Sequence, residues 1–208
     1  MSEEPKPKQF INIEGPYGKS RFRRLLVWLL PYDPIEYQRE LQKEIDSYWE
    51  HYKDLTDERA VVLAGSLCVE DCLNRMIDTF FPASGILHDL SFYQKINLVR
   101  ACALIPSQIL DDCVTVNKLR NKFAHNLELK NLSDLADREF QAVDQALKRY
   151  ERSYDFNTPY RKRFESLVSF AYIALIVYKS HVKSLREYIN TEDFMKALKN
   201  FKEKENVA

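Results

Sequence analysis

Three polar residues with complementary chemistry lie close together in the sequence: Arg120, Asn121 and, four residues after the asparagine, His125. An arginine is permanently charged and grips a phosphate through two parallel hydrogen bonds. A histidine titrates near neutral pH, so it can move the proton of a ribose 2′-hydroxyl or of a leaving oxygen. The asparagine can orient the imidazole or a phosphate oxygen. Together the three side chains suit chemistry at a phosphodiester, and that chemistry requires no metal ligand.

A helix through this segment would present the three residues on one side. An α-helix turns by about 100° per residue, which brings Arg120, Asn121 and His125 onto a single arc with the small Ala124 between them. An apolar stripe occupies the adjoining arc and consists of Val116, Leu119 and Phe123. The pattern therefore predicts a helix with one buried face and a polar cleft beside it.

The same residues have a purely structural interpretation. Arginine and histidine near the end of a helix often satisfy its last carbonyl groups. Glu70, which lies among apolar residues, could pair with Arg120 and hold it away from any substrate, or could orient His125. Lys95 and Lys122 are candidate substrate-binding residues that would contact phosphate. For Lys95 an ordinary solvated lysine is the alternative.

The composition predicts an all-α protein and limits how it could bind nucleic acid. The chain has 208 residues, of which 45% are hydrophobic, 30% are charged and only four are glycine. So few turn residues argue against β-rich folds. The formal net charge is zero, so recognition of phosphates would depend on local basic patches. Four such patches occur, at residues 19–24, 118–122, 148–152 and 161–163.

Hydrophobic periodicity and helix-capping residues predict the order of the helices. Pro34 suits the first position of a helix over 35–53, and Thr56 begins the next. Ser91 followed by Gln94 has the spacing of a capping box. Pro106 begins the helix that carries the polar trio, and Ser133 caps a helix over 134–154. Helices over about 160–188 and 191–202 complete the chain, and a short basic and apolar segment occupies residues 21–30.

The remaining composition favours a cytoplasmic protein without a cofactor. The four cysteines (Cys68, Cys72, Cys102 and Cys113) include no CxxC pair, so we expect free thiols and no metal site. The polar, proline-rich residues 1–9 do not resemble a signal peptide. The longest apolar run, residues 167–178, is short of the ~20 residues that cross a bilayer. Aromatic residues that could stack on bases, or equally belong to the core, are Tyr48, Trp49, Tyr52, Tyr150 and Tyr154.

Two strings in the chain resemble a known family. These are Leu-Ser-Phe-Tyr-Gln-Lys-Ile-Asn-Leu from residue 90 and Leu-Arg-Asn-Lys-Phe-Ala-His-Asn from residue 119. They are similar to the mannitol operon repressor family and its relatives, within the wider HEPN-like superfamily of helical bundles. The segment from Asp57 to Asn74 also resembles a conserved helix of that family. The resemblance covers roughly residues 55–150, and the Arg-Asn-x-x-Ala-His string is its most specific part.

The resemblance implies an antiparallel HEPN-like bundle over residues 35–157. An N-terminal arm over 1–34 and a C-terminal helical pair over 158–208 would flank it. Many HEPN proteins are metal-independent endoribonucleases that act as toxins or in defence, and their pattern makes Arg120, Asn121 and His125 the catalytic residues. Such enzymes pair two copies of the motif in a homodimer, and the resemblance therefore implies a homodimer here. RNA and an antitoxin or regulatory protein are the other expected partners. The repressor-like relatives are described as transcriptional regulators, and a protein-binding scaffold is a third possibility.

Overall fold

The computed structural model describes residues 34–52, 54–81, 85–103, 105–135, 137–150 and 157–189. Within these ranges all regular secondary structure is helical, as the composition predicts. The six α-helices are α1 (Pro34–Glu50), α2 (Glu58–Phe80), α3 (Phe92–Ala101), α4 (Ser107–His125), α5 (Asp137–Tyr150) and α6 (Tyr160–Ile189). Short 3₁₀ turns lie at Gly85–Asp89 and Leu132–Asp134. The segment predicted over 21–30 and the helix predicted over 191–202 lie outside the described residues.

Most helix starts agree with the capping residues in the sequence. Helix α1 begins at Pro34, as predicted, and ends at Glu50, three residues before the predicted end. Ser91 caps α3, and the capping box with Gln94 is present in both directions. Helix α2 begins at Glu58, two residues after the predicted Thr56, because the carboxylate of Asp57 accepts the backbone N–H of Ala60 at 3.0 Å and acts as its cap.

The prediction for the fifth helix was wrong at its start. Ser133 lies inside a 3₁₀ turn and caps nothing, and α5 begins only at Asp137. Asp134 explains the difference, because its carboxylate accepts the backbone N–H groups of Lys130 and Asn131 at 2.9 and 2.7 Å. These two bonds close a turn where a helix was expected. The predicted residues 151–154 lie outside the described ranges.

Helix α2 is the central element of the core. It packs along α6 and α4, and α3 covers one of its sides. Its fully buried side chains include Val62, Val69, Leu73 and Ile77. Burial of side chains of this size contributes about 1.5–3 kcal/mol each. A glycine, Gly65 of α2, permits the close approach of the turn that follows α1, because a Cβ at this position would overlap the hydroxyl of Tyr52.

The long C-terminal helix shares this core. Helix α6 spans Tyr160–Ile189, close to the predicted 160–188. Phe164, Val168 and Leu175 are completely buried in the same cluster as the side chains of α2 and α4. The segment predicted as an extension after residue 157 therefore packs within the bundle as far as α6 reaches. None of the described helices is both long and apolar enough to cross a membrane.

Candidate functional site

The polar trio lies at the C-terminal end of α4, where the amphipathic pattern of the helix places it. Val116, Leu119 and Phe123 are buried on the core side of α4, as the sequence predicts. His125 is the last residue of the helix and is exposed to solvent. The apolar stripe therefore anchors α4 to the bundle, and the last turn presents the imidazole outward.

Arg120 is held by its neighbour in the sequence. Its Nη1 donates a hydrogen bond of 2.9 Å to Oδ1 of Asn121, and both side chains are half-buried. The expected alternative, an ion pair between Arg120 and Glu70, is not formed. The carboxylate of Glu70 accepts a hydrogen bond from Nζ of Lys95 at 2.7 Å. No charged partner in the described part of the chain therefore locks the guanidinium of Arg120.

Lys95 is neither a solvated lysine nor part of the polar face of α4. It is 3% exposed and lies on the buried side of α3 between Phe92 and Val99. A buried ammonium group requires a countercharge, and Glu70 on α2 supplies it. The alternative that Lys95 is an ordinary solvated lysine is wrong, because one helix face carries both this lysine and the apolar residues around it. Its assignment as a substrate-binding residue stays a prediction. Its ion pair connects α3 to α2.

A pocket of about 440 Å³ opens beside His125. It lies between the end of α4, the following loop and the start of α5. The lining residues are Asn121, Lys122, His125, Asn126, Leu129, Asp134, Leu135 and Glu139. Two of the predicted catalytic residues and one predicted substrate-binding residue therefore share a cavity. Arg120 is not among the lining residues, but its guanidinium is hydrogen-bonded to Asn121, which is.

The charges around this pocket are mixed. Lys122 is exposed and forms an ion pair with Glu139 of α5. The backbone N–H groups of Asn131 and Lys130 lower the pKa of Asp134, so this carboxylate stays ionised under weakly acidic conditions. The pocket thus combines a cation, an imidazole and two carboxylates. An anionic ligand would have to compete with Glu139 for the ammonium group of Lys122.

The loop after the trio is held by residues that sequence analysis did not single out. Nη2 of Arg59, in the first turn of α2, donates to the backbone oxygens of Asn126 and Leu129 at 2.7 and 2.8 Å. The backbone N–H of Leu132 donates to Oε2 of Glu58 at 2.6 Å. Both contacts span about seventy residues of sequence, and no local pattern indicates such a pairing.

A second polar cluster on α4 serves the fold. Asp112 is fully buried, and its carboxylate accepts hydrogen bonds from the guanidinium of Arg149 and, at 2.6 Å, from the hydroxyl of Tyr150. Burial raises the pKa of Asp112, although the hydroxyl and the guanidinium act in the opposite direction. These contacts tie α4 to α5. One arginine of the basic patch over 148–152 is therefore half-buried and engaged in a contact between helices.

Most of the aromatic residues considered for base stacking pack against other side chains of the protein. Tyr48 and Tyr52 belong to the core, and the ring of Tyr48 stacks on Tyr172 with centroids 4.7 Å apart. The ring of Tyr150 stacks on Phe170, also at 4.7 Å. The core alternative is thus confirmed for Tyr48 and Tyr52, because both side chains are buried. The side chains of Trp49 and Tyr154 lie outside the described residues.

The cysteines are free thiols, as predicted. Cys72 and Cys113 are buried, and burial raises the pKa of the Cys72 thiol to about 12. A thiol with so high a pKa is a poor nucleophile. Among the residues that the structure describes, no three histidine, cysteine or acidic side chains are grouped so that they could hold a metal ion.

The chain matches no protein-family model, no curated protein and no solved structure at a significant level.

Proposed function

We propose that this protein is a HEPN-like endoribonuclease that cleaves RNA without a metal ion and works as a homodimer. The observation that carries the proposal is the end of α4. There His125 is exposed beside a pocket, and the adjacent Arg120 has no carboxylate partner among the described residues. The resemblance of the Arg-Asn-x-x-Ala-His string to HEPN proteins supplies the reaction. In this proposal, the RNA binds in the cleft predicted from the helical pattern.

In the proposed reaction His125 accepts the proton of the ribose 2′-hydroxyl. The 2′-oxygen attacks phosphorus, the bond from phosphorus to the 5′-oxygen breaks, and the leaving oxygen takes a proton from an imidazolium. Arg120 stabilises the negative charge that develops on the phosphorane oxygens. Asn121 orients the guanidinium through the hydrogen bond between them. The products carry a 2′,3′-cyclic phosphate and a 5′-hydroxyl.

The homodimer is what the resemblance to HEPN enzymes implies. The chain contains one copy of the motif, and the reaction uses one group to remove a proton and another to return one. Two copies that face a shared cleft provide both groups. The exposed position of His125 at a helix end is compatible with such a pairing.

A non-enzymatic regulator of the mannitol-repressor kind is the second candidate. The mixed charges of the pocket favour it, because Glu139 and Asp134 reduce the positive potential that RNA requires. The net charge of zero points in the same direction. In this case the polar trio would bind a protein or a small polar ligand and would not act on a phosphodiester.

Cleavage of a mixed RNA in the presence of EDTA tests the proposal. Wild type is compared with His125→Ala and with Arg100→Ala, which removes an exposed cation that pairs with Asp111 away from the trio. We expect His125→Ala to lower the cleavage rate by about 10²-fold or more. Arg100→Ala should leave it within about twofold. End-group analysis of the wild-type products should find cyclic phosphates.

The outcomes separate the two candidates. A well-folded dimer that leaves every RNA intact would contradict the nuclease and favour the regulator. Equal cleavage by wild type and His125→Ala would show a contaminating nuclease and would also contradict the proposal. Toxicity on expression that His125→Ala relieves would support a toxin or defence role.

A further inference from the structure

Arg59 connects the first turn of α2 to the segment that follows His125. One nitrogen of its guanidinium, Nη2, donates to two backbone oxygens, that of Asn126 at 2.7 Å and that of Leu129 at 2.8 Å. Asn126 is the residue directly after His125, and its own N–H donates to the carbonyl of Lys122 at 2.9 Å. Arg59 therefore contacts the chain where α4 ends.

Further hydrogen bonds hold the loop together and connect it to the first turn of α2. The N–H of Glu128 donates to Oδ1 of Asn126 at 2.9 Å. The N–H of Leu132 donates to the carboxylate of Glu58, the neighbour of Arg59, at 2.6 Å. Residues 126–132 thus have one fixed point at the end of α4 and another at the start of α2. Asn126 and Leu129 also line the pocket beside His125.

An arginine suits this contact. Hydrogen bonds from a charged donor are shorter and about twice as strong as neutral ones. A guanidinium is planar and always charged, so the two N–H groups of Nη2 have fixed directions toward the two oxygens, whereas those of a flexible ammonium group do not. The loop contains no packed helix or strand of its own apart from the turn Leu132–Asp134. Its position beside the pocket therefore depends on the first turn of α2.

We propose that Arg59 is a positioning residue for His125, because it fixes the loop that ends α4 and forms one wall of the pocket. It acts through the backbone of residues 126–129. The inference rests on the proposed function for its catalytic consequence, although its structural part can be measured without RNA. A misplacement of catalytic groups by about 1 Å is enough to cost about 10²-fold in rate.

Three variants of the full chain test the inference. Arg59→Ala removes both hydrogen bonds, and Arg59→Lys keeps the charge without the planar donor. Arg100→Ala is the matched control, because it removes an equal charge from an exposed ion pair with Asp111 on another part of the bundle. Amide hydrogen exchange over residues 126–132 and the NMR signals of the His125 ring are recorded for each. RNA cleavage is measured alongside.

For Arg59→Ala we expect exchange over 126–132 to accelerate at least tenfold and the His125 ring signals to shift. The value of kcat should fall by about 10–10²-fold with KM within about twofold. Arg59→Lys should recover part of both effects, and Arg100→Ala should match wild type. Because Arg59→Lys retains the charge, it keeps the comparison usable if Arg59→Ala folds poorly.

Each contrary result has a distinct meaning. Unchanged exchange and unchanged ring signals in Arg59→Ala would overturn the positioning role, whatever the enzyme does. Faster exchange with an unchanged kcat would also overturn it and would leave the nuclease standing. If wild type cleaves no RNA, the nuclease fails, and the ring signals of His125 alone decide whether Arg59 positions it.

Discussion

Helix α4 carries polar side chains in two regions, and the fold treats the two regions differently. Near its start, Asp112 is completely buried and accepts hydrogen bonds from Arg149 and Tyr150 of α5. At its end, His125 is exposed, and Arg120 donates a hydrogen bond to the adjacent Asn121. The first region joins two helices, and the second faces solvent beside a pocket.

The comparison teaches how a structural polar group differs from a candidate functional one on the same helix. A buried carboxylate is tolerated only when hydrogen-bond donors satisfy it, and the donors to Asp112 come from another helix. An exposed imidazole has no such requirement, and its retention on the surface contributes little to stability. Substitutions in the first region should therefore affect folding, and those in the second should affect activity.

The largest expected effect is on stability, from Asp112→Ala. This substitution removes the buried acceptor of one hydrogen bond from Arg149 and one from Tyr150. We expect the free energy of unfolding to fall by about 3 kcal/mol, as measured by urea denaturation. Asp111→Ala is the control, because Asp111 is exposed and its ion pair with Arg100 should contribute at most about 1 kcal/mol.

Equal losses of stability in these two variants would contradict the structural role of Asp112.

The second prediction concerns the pH dependence of the same carboxylate. Burial raises the folded-state pKa of Asp112 above its ordinary value of 3.8. The folded protein therefore binds this proton more tightly, and the contribution of Asp112 to stability decreases as pH rises from about 3.8 through the raised pKa. The difference in unfolding free energy between wild type and Asp112→Asn should thus favour wild type more at pH 4 than at pH 7. A difference that grows with pH would show that the pKa is lowered.

The smallest effect on stability should come from the pocket itself. Lys122 is exposed and pairs with Glu139 at the surface, and such pairs contribute about 0–1 kcal/mol. We expect Lys122→Ala and His125→Ala each to change the unfolding free energy by about 0.5 kcal/mol or less. Thermal and urea denaturation measure this directly. A loss comparable to that of Asp112→Ala would mean that the end of α4 is a structural element.

Local sequence signals predicted most of the helices and the orientation of α4. The stripe formed by Val116, Leu119 and Phe123 fixed which side of α4 is buried, and hence which side carries His125. The capping box of Ser91 and Gln94 fixed the start of α3. These predictions were correct because each depends on residues within one or two turns of the chain.

Contacts between distant segments could not be predicted in the same way. From the sequence alone, several lysines and arginines could pair with Glu70. Lys95 is its partner because α3 packs on α2. The hydrogen bonds from Arg59 to the loop after His125 likewise depend on the relative placement of α2 and α4. Ser133 failed as a cap because the carboxylate of Asp134 accepts the N–H groups of Lys130 and Asn131 and closes a turn that contains Ser133.

The most direct test of the account is whether Arg120 and His125 act on one phosphate. The cleavage rates of Arg120→Ala, His125→Ala and the double variant are measured on one RNA, at one protein concentration at which each variant is folded. Residues that work as a unit are strongly non-additive. We therefore expect the double variant to be no slower, within about threefold, than the slower single variant. Losses that multiply in the double variant, or single variants as active as wild type, would contradict a shared site at the end of α4.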